Sequence, residues 1–399
     1  MDLDERIERR RRGESERALV RDFDVLSPVT HLSEPNGRGP VLERLLDVLD
    51  PTFEGKLPGN AYVWGPKGVG KSAVVSALFE RLSEQSDRRR STIYTTTRAV
   101  APPTTVFAYV DARYATSEFA LYHDVLDSIV EESVPEGGVG TAALRDRLDD
   151  ELSGSTRAVV AVDHLAEADT FSIERLDELL DLPSVAYVGV GRTPPASQAG
   201  AADGLDLDSD AGVEIDETVE VPRYERHALV DLLTQRASLG LARGSLSHGD
   251  IREVASWADG DAHDALAAVC GAADHALERH GNRITTADLE AGMEAVPWQS
   301  VSLGTVLALP ANRQRILRRL LDLDASAVSS VRAATDALTA DSRVNLSATT
   351  VKRVLYELAE AGIINRVETE VDSGLGRPPS RLEPQFPTRV FRRLVDAGD

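Results

Sequence analysis

The chain has 399 residues, which allows two or three domains with substantial cores, and its 66 acidic and 44 basic residues give a formal net charge of −22. A single cysteine, Cys270, excludes an internal disulfide framework and a thiolate metal cluster, and its alanine-rich surroundings predict a small core residue. No apolar run is long enough to span a membrane, and residues 1–12 lack the apolar centre of a signal peptide, so we expect a cytoplasmic protein without a membrane partner.

Residues 1–24 are predicted to form a charged arm, and from residue 25 predicted strands alternate with predicted helices. The strands are expected at 61–64, 106–111, 158–163, 185–190 and 213–219, and the helices at 41–49, 74–82, 117–131, 141–152 and 173–180. Strands separated by helices of this length form a parallel sheet with crossover helices. The sequence therefore predicts an α/β domain over residues 25–220.

The strongest motif lies between the first predicted strand and the helix that follows it. It has the P-loop pattern G-x-x-x-x-G-K-S, in which glycines let backbone N–H groups surround phosphates, the lysine reaches the β- and γ-phosphates and the serine hydroxyl binds Mg²⁺. Its residues are Gly65, Pro66, Lys67, Gly68, Val69, Gly70, Lys71 and Ser72. Lys67 and Lys71 are two of only four lysines in the chain. A chance match in a glycine-rich turn is the alternative, but the flanking strand and helix favour a nucleotide site.

Residues 221–297 are predicted to form a separate domain made only of helices. The helices are expected at 223–239, 247–258, 262–279 and 285–295. Ser247 and Thr285 are predicted N-caps, and each is followed three residues later by an aspartate, which resembles a capping box.

Residues 298–399 differ in charge from the rest and are predicted to form a third domain. Residues 299–399 hold 14 basic and 12 acidic side chains, so their net charge is +2 and that of the remaining chain is −24. Helices are expected at 311–323, 327–339 and 347–360, followed by strands at 362–371 and 380–383. Three helices followed by a hairpin is the order of a winged-helix domain, whose third helix enters the major groove of DNA.

Together these segments resemble a known family. The P-loop, Val162-Asp163-His164, the helical segment containing Gly260-Asp261-Ala262-His263-Asp264 and the terminal winged helix are similar in order to archaeal origin-recognition and cell-division-control type replication initiators. The resemblance runs from about Leu26 to the C-terminus, and Gly37-Arg38 and the segment 109–113 add to it. It implies an AAA+ fold with a helical lid, ATP or ADP with Mg²⁺ as ligands, and double-stranded DNA as partner. It also suggests a replicative helicase or paralogous initiators as further partners, and a place at the nucleoid.

The resemblance assigns roles to individual residues. Asp163 would hold Mg²⁺ together with Ser72, Tyr224 would pack by the adenine, and Arg236 would lie near the nucleotide. For Tyr224 and Arg236 the alternative is a helix N-terminus with a solvent-facing arginine. His263 stands where the family has an arginine that touches the γ-phosphate.

Several catalytic positions depart from the family pattern. The glutamate that usually follows Asp163 is replaced by His164, for which a role as catalytic base and an inert structural role both stay open. The polar asparagine expected after the next strand is replaced by Gly191-Arg192-Thr193. The predicted loop 193–210 contains no arginine finger, a loss that costs several orders of magnitude in turnover. We therefore expect a protein that binds nucleotide as a switch and hydrolyses it slowly or not at all.

The predicted recognition helix, 347–360, divides into an apolar face and a polar face. Val351, Val354, Leu355 and Leu358 have the spacing of a buried face. The predicted DNA contacts are Thr349, Thr350, Lys352 and Arg353 on this helix and Arg377 and Arg381 on the wing. An ordinary solvated helix face is the alternative interpretation.

Two other functions remain open at this stage. The same architecture would serve a nucleotide-gated regulator of transcription or plasmid copy number, and an active ring-forming ATPase is a third, less favoured hypothesis. The scarcity of lysine and the acidity favour a salt-rich cytoplasm, with a GC-rich coding bias as the alternative. High salt would screen attraction between the protein and DNA.

Overall fold

The computed structural model describes residues 18–93, 104–130, 132–194, 213, 215–368 and 380–398. They form two compact units: residues 31–223, called the sheet unit, and the described parts of 1–30 and 224–399, called the helical unit. The sequence-based division into four segments stays a prediction.

The first helix of the chain, α1 (Phe23–Leu26), belongs to the helical unit, and the sheet unit follows it. The elements of the sheet unit are α2 (Gly39–Phe53), β1 (Ala61–Trp64), α3 (Lys71–Ile93), β2 (Thr104–Asp111), α4 (Glu118–Ile129), α5 (Thr141–Glu151), β3 (Thr156–Leu165), α6 (Ile173–Leu179), β4 (Val185–Gly191) and β5 (Glu217–Glu220).

These five strands form one sheet in the order β2-β3-β4-β1-β5, and every neighbouring pair is parallel. The predicted parallel α/β sheet is therefore confirmed. In the register of the sheet, Asp111 pairs with Asp163, and Trp64 pairs with both Gly191 and Glu220. Because parallel strands end at the same edge, the P-loop, Asp163 and the end of β4 share the carboxyl edge of the sheet.

Two hydrophobic cores cover the two faces of the sheet, since successive side chains of a strand point to opposite sides. In β1, Tyr62 packs into the core that contains Leu121 and Leu148, whereas Val63 packs into the core that contains Leu49. Burial of one such leucine stabilises the fold by about 2 kcal/mol.

The helical unit continues after the sheet unit with eight helices, a further terminal helix and a two-stranded antiparallel sheet among its described residues. Its elements are α7 (Arg226–Gly240), α8 (His248–Trp257), α9 (Ala262–Glu278), α10 (Thr286–Glu294), α11 (Leu303–Leu307), α12 (Ala311–Leu320), α13 (Val331–Ala340), α14 (Ala348–Glu360), β6 (Ile364–Glu368), β7 (Ser380–Pro384) and α15 (Thr388–Gly398).

Helix α9 runs through the interior of the helical unit. Small side chains let α10 approach it closely: a Cβ atom at Gly292 would overlap with the carbonyl oxygen of Ala268. Cys270 is 2% exposed on the same helix, so its prediction as a core residue is confirmed. Leu266 and Phe391 lie in one hydrophobic core with the other helices, so the segments predicted as lid and C-terminal domain share a continuous interior.

Both predicted capping boxes are present. Ser247 caps α8 with Asp250 as its reciprocal partner, and Thr285 caps α10 with Asp288. Each box satisfies N–H groups that the first turn of a helix leaves unpaired.

Several element boundaries differ from the predictions. Helix α13 begins at Val331 and not at 327, because the hydroxyl of Ser330 accepts from the N–H of Ala333 and fixes the helix start. Helix α12 ends at Leu320 and not at 323. Strand β5 is shorter than predicted and begins at Glu217, although it does lie at the sheet edge. Helices α1, α11 and α15 were not predicted.

The predicted strand 362–371 begins at Ile364, after Gly362 with φ of 69°, and its residues beyond 368 lie outside the described residues. Most of the predicted loop 193–210 also lies outside them. Within the part of the chain that the structure describes, none of the helices is both long and apolar enough to span a bilayer.

Candidate functional site

The loop between β1 and α3 turns at its glycines. Gly68 and Gly70 have φ of 73° and 79°, a left-handed region that glycine enters without steric cost. Gly65 lies so close to the segment after β5 that a Cβ atom there would overlap with the carbonyl oxygen of Val221. Val69 is fully buried in the core and anchors the loop. Such a loop can aim backbone N–H groups at a phosphate, and the N-terminus of α3 favours an anion at the same place.

The P-loop lysine lies within the curve of this loop. Lys71 Nζ donates to the carbonyl oxygens of Gly65 at 2.7 Å and of Pro66 at 2.8 Å. The ammonium group is thus placed over the loop, and a phosphate would replace the two carbonyl oxygens as its acceptor.

Asp163 is a buried carboxylate at the end of β3 and is 2% exposed. Its Oδ2 accepts from the Tyr109 hydroxyl at 2.8 Å, its Oδ1 accepts from the His164 N–H at 2.7 Å, and the Ser72 hydroxyl also donates to it. Burial acts to raise the pKa of Asp163, but the charge of His164 and these hydrogen bonds together lower it below its ordinary value. The group is therefore an anion at neutral pH.

The structure brings Ser72 and Asp163 together, as the sequence predicted for a Mg²⁺ site. A hydroxyl and a carboxylate are hard oxygen ligands of the kind that Mg²⁺ takes alongside phosphate oxygens and water. The residues present therefore fit a nucleotide with Mg²⁺: Lys71 and the loop N–H groups would hold the phosphates, and Ser72 and Asp163 would hold the ion.

His164 stands in a strained backbone conformation with φ of 65°, which costs a non-glycine residue roughly 1 kcal/mol. Its Nδ1 lies 3.0 Å from Glu167 Oε1, and its Nε2 lies 3.8 Å from Asp163 Oδ2. Burial acts to lower the pKa of His164, but the charge of Asp163 and the hydrogen bond to Glu167 raise it above its ordinary value. The contact with Glu167 holds the imidazole in the turn after β3, and this geometry favours the structural role over that of a catalytic base.

A second ion pair extends the array from His164. Arg192, directly after β4, places its Nε 3.0 Å from Glu167 Oε1, the same oxygen that faces His164. Asp163, His164, Glu167 and Arg192 thus form a connected series of charges along the carboxyl edge of the sheet, which we call the Asp163–Arg192 chain.

Gly191 occupies the position at the end of β4 where the family resemblance implies a polar side chain. A Cβ atom at Gly191 would overlap with the hydroxyl group of Tyr62, a residue that is 0% exposed. A larger residue at this position would therefore require the buried Tyr62 ring to shift.

Tyr224 and Arg236 lie in the helical unit, where both are buried. Arg236 donates from Nη1 to the Val25 carbonyl at 2.8 Å and from Nη2 to the Thr30 carbonyl at 2.6 Å. Burial lowers the pKa of Arg236 despite the nearby Tyr224 hydroxyl. The solvent-facing alternative does not apply to Arg236, and its proximity to nucleotide stays a prediction.

His263 begins α9 and is also buried. Its Nε2 accepts from the Leu303 N–H at 2.9 Å, and its Nδ1 lies 2.9 Å from Asp264 Oδ1. Since both ring nitrogens are engaged within the helical unit, His263 does not have the reach of the arginine that the resemblance implies there.

The predicted recognition helix is α14, and its two faces are as predicted. Val351, Val354, Leu355 and Leu358 are buried, whereas Thr349, Lys352 and Arg353 are exposed. Thr350 is partly buried, and its N–H donates to the Ser347 hydroxyl oxygen of the N-cap at 3.2 Å.

Ion pairs and a stacked arginine shape the polar face of α14. Glu357 receives Arg353 at 2.9 Å on one carboxylate oxygen and Arg313 of α12 at 2.9 Å on the other. The Arg366 guanidinium of β6 lies 5.0 Å from the centre of the Tyr356 ring. Three arginines from three elements therefore converge beside this helix.

One predicted wing residue can be located. Arg381 is exposed on β7, opposite Val367 of β6, and lies 3.4 Å from Glu383. Arg377 lies outside the described residues.

Comparison with known proteins agrees with this architecture. Residues 34–190 match the AAA ATPase domain family. The ORC1-type DNA replication protein 1 of Sulfolobus acidocaldarius is 24% identical over 282 residues, covering 68% of this chain and 65% of that protein. The structure of the Aeropyrum pernix ORC1 protein in complex with DNA matches with a TM-score of 0.60 at 19% identity, covering 95% of this chain and 97% of that one. The chain is thus similar to ORC1-type proteins, and its residues 34–190 match an AAA ATPase domain. The Aeropyrum pernix ORC2 protein, determined as ADPNP–ADP complexes, matches with a TM-score of 0.56 at 16% identity, covering 95% and 99% of the two chains.

Sequence reasoning missed residues that lie in the two candidate sites. Glu167 was visible four residues after Asp163, but its contact with Arg192 depends on the turn that follows β3. Arg313, Tyr356 and Arg366 come from three different elements, and only Tyr356 could have been found by extending the i, i+3, i+4 spacing of Thr349, Lys352 and Arg353 along α14.

Proposed function

We propose that this chain binds ATP or ADP with Mg²⁺ and recognises double-stranded origin DNA through its C-terminal winged helix, with the nucleotide acting as a conformational switch and with weak or absent hydrolysis. One observation carries the nucleotide part: Lys71 is held over the P-loop while the Ser72 hydroxyl and the Asp163 carboxylate meet beside it. Bound Mg²⁺ would neutralise charge on the phosphate oxygens. The protein would act in the cytoplasm at the nucleoid, with a replicative helicase or paralogous initiators as further partners.

Weak hydrolysis follows from the surroundings of the phosphate site. His164 follows Asp163 and is held by Glu167, Gly191 brings no side chain to the end of β4, and His263 is engaged elsewhere. Each of these positions would otherwise stabilise charge in the transition state or orient the attacking water.

The nucleotide site is tested by equilibrium binding of ADP and ATP in Mg²⁺ buffer at high salt. Lys71→Ala removes the cation that faces the phosphates and should weaken both nucleotides by about a hundredfold, as loss of a charge-assisted contact of about 3 kcal/mol implies. Lys56→Ala is the matched control, since Lys56 is an exposed lysine paired with Glu54, and should leave both affinities unchanged. Equal affinities in wild type and Lys71→Ala would contradict the site.

Hydrolysis is tested by phosphate release from the wild-type protein, with and without DNA. We expect a rate at least about a thousandfold below the typical enzyme turnover of about 10 per second, because residues 193–210 contain no arginine that could serve as a finger. Turnover near the typical value, abolished in Lys71→Ala, would refute the switch without refuting nucleotide binding.

The DNA part is supported by the polar face of α14 and by the likeness in fold to a protein solved with DNA. Mapping the sites that the protein occupies on the chromosome separates initiation from regulation. Peaks at origins with unwinding elements support the proposal, whereas peaks confined to promoters favour a nucleotide-gated transcriptional regulator.

A further inference from the structure

Tyr109 reaches Asp163 because of the register between β2 and β3. Tyr109 lies directly opposite Ala161, and Asp111 lies opposite Asp163, so these four side chains point to one face of the sheet. The small side chain of Ala161 leaves space in which the phenol ring can lean along the strands toward the carboxyl edge. The Tyr109 hydroxyl thereby donates to Asp163 Oδ2 at 2.8 Å, two residues further along the neighbouring strand.

This hydroxyl is one of the donors that fix the orientation of the Asp163 carboxylate. Oδ1 accepts from the His164 N–H at 2.7 Å, and the backbone carbonyl of Asp163 accepts from the Ala112 N–H at 3.1 Å. The Ser72 hydroxyl also donates to the carboxylate, but Ser72 is itself a proposed ligand of the ion. Among the described residues, Tyr109 is thus the side chain that holds Asp163 by a hydrogen bond without being a proposed ligand.

The partner of Asp163 differs in kind from that of Asp111, the aspartate paired with it on β2. Both carboxylate oxygens of Asp111 are bound by Arg113, at 2.9 Å and 2.5 Å, so the charge of Asp111 is neutralised in place. Within the part of the chain that the structure describes, no arginine pairs with Asp163, and the Tyr109 hydroxyl orients this carboxylate without cancelling its charge. An outer contact of this kind fixes a metal ligand and leaves its charge for the ion.

We propose that Tyr109 is a positioning residue for Mg²⁺: its hydroxyl holds the Asp163 carboxylate in the orientation in which the carboxylate binds the ion. The inference rests on the proposed binding of nucleotide with Mg²⁺ at Lys71, Ser72 and Asp163. In this role Tyr109 acts through Asp163 and makes no contact of its own with the nucleotide. Its loss should therefore lower the affinity for Mg²⁺ and leave the metal-free affinity for nucleotide unchanged.

The experiment measures the ADP affinity of the full-length protein at increasing Mg²⁺ and in EDTA, for wild type and Tyr109→Phe. Phenylalanine keeps the ring and removes only the hydroxyl. Because loss of an outer contact to a metal ligand costs about tenfold or more in metal affinity, the Mg²⁺ concentration at half of the full effect should rise by about tenfold. ADP affinity in EDTA should stay within about twofold of wild type. An unchanged Mg²⁺ midpoint, or an equal loss of ADP affinity in EDTA as in Mg²⁺, overturns the inference.

Tyr187→Phe is the matched control. The Tyr187 hydroxyl also donates to an aspartate, Asp177 Oδ1 at 2.8 Å, but Tyr187 packs into the core on the other face of the sheet. This variant loses the same kind of hydrogen bond and should leave the Mg²⁺ midpoint unchanged. A shift as large as that of Tyr109→Phe would indicate a general weakening of the sheet and contradict the inference.

Asp163→Asn tests whether Tyr109 acts through Asp163. An amide lacks the negative charge with which a carboxylate binds Mg²⁺, so Asp163→Asn alone should remove most of the dependence of ADP affinity on Mg²⁺. Adding Tyr109→Phe to Asp163→Asn should change the remaining dependence by less than about twofold, because the two side chains act as one unit. A further shift of about tenfold would mean that the hydroxyl acts on the ion by another route, and it would refute the positioning role.

Failure of the inference and failure of the proposed function give different patterns. A wild type that binds no ADP, or whose ADP affinity does not respond to Mg²⁺, refutes the metal site of the proposed function and the inference with it. A wild-type response that Asp163→Asn removes and Tyr109→Phe leaves intact refutes the role of Tyr109 alone.

Discussion

At the scale of the residue, buried carboxylates in this chain are kept ionised by donors that converge on them. Asp288 is 0% exposed, and its carboxylate accepts a hydrogen bond from Arg279 Nε at 2.9 Å. It also accepts from the backbone N–H of Thr285 at 2.8 Å and from the Thr285 hydroxyl at 2.6 Å. His275 Nδ1 lies 2.8 Å from the same carboxylate. A single side chain therefore ties α9 to the start of α10.

Replacing Asp288 should be costly to the helical unit. Asp288→Asn leaves the Arg279 and His275 donors with a neutral partner, and we expect a loss of about 3 kcal/mol in the free energy of unfolding. Urea denaturation followed by circular dichroism measures it. Asp250→Asn is the matched control, since Asp250 completes the capping box of α8 but is only partly buried, and should cost about 1 kcal/mol. Equal losses in the two variants would argue against the buried cluster.

Asp288 should also make the free energy of unfolding depend on pH, and the sign of this dependence follows from the direction of its pKa shift. Burial acts to raise the pKa of Asp288, but hydrogen bonds from Arg279, Thr285 and His275 lower it well below its ordinary value. A carboxyl with a depressed folded pKa stabilises the fold above its unfolded pKa, about 3.9, and loses that contribution as the pH falls through the folded pKa. The stability gap between wild type and Asp288→Asn should therefore narrow below about pH 4. A gap that is constant with pH would refute this.

Only the part of the candidate site that is formed by residues close together in the sequence could be predicted. The P-loop needs glycines, a lysine and a serine at fixed spacing, so Gly65 to Ser72 could be identified from eight residues. The Asp163–Arg192 chain could not, because it depends on a turn in which His164, Ala166 and Asp169 all have positive φ. Such conformations are stabilised by tertiary contacts, and hydrophobic periodicity carries no information about them.

At the scale of the element, α14 combines a buried apolar stripe with a cationic face that neighbouring elements enlarge. Lys352 and Arg353 come from the helix itself, whereas Arg313 and Arg366 are supplied by α12 and β6. A surface assembled this way depends on the fold of the helical unit and not on one helix alone.

Removing the two cations of α14 tests this surface. Lys352→Ala with Arg353→Ala should weaken binding to all duplex sequences and lower the slope of log affinity against log salt by about 2, one for each lost phosphate contact. Arg226→Ala with Arg252→Ala removes two exposed charges elsewhere in the helical unit and serves as the control. Fluorescence anisotropy with full-length protein measures both. An unchanged salt slope in the α14 variant would remove that face from the interface.

The presence of helices and strands was predicted better than the residues at which they begin and end. The terminal helix α15 was missed although Val390, Phe391 and Leu394 have helical spacing and pack into the core. The start of α13 was placed too early, since apolar residues at 327 and 328 continue the pattern while the cap at Ser330 decides the boundary. Caps act through one hydrogen bond, so composition over a window of residues does not locate them.

At the scale of the whole molecule, charge is distributed unevenly. Residues 299–399 carry a net charge of +2, and the rest of the chain carries −24. The acidic part of the chain would repel DNA, so under the proposed function attraction would come from short-range contacts made by a few cations.

The salt dependence of DNA binding should reflect this distribution. We expect the log–log salt slope of the full-length protein to be shallow, about −2 to −3, because few phosphates are neutralised and screening also relieves repulsion from the acidic body. Titrations at increasing KCl measure it. A slope steeper than about −6 would indicate a broad basic interface that the described residues do not display.

The contact between Tyr62 and Gly191 has a consequence for how this lineage can change. A polar residue at 191 cannot be introduced while the buried phenol fills the space that its Cβ would need. Introducing such a residue requires Tyr62 to be replaced first, and that step alone opens a void in a core. The order of substitutions at positions 62 and 191 is thus constrained by the packing of the sheet interior.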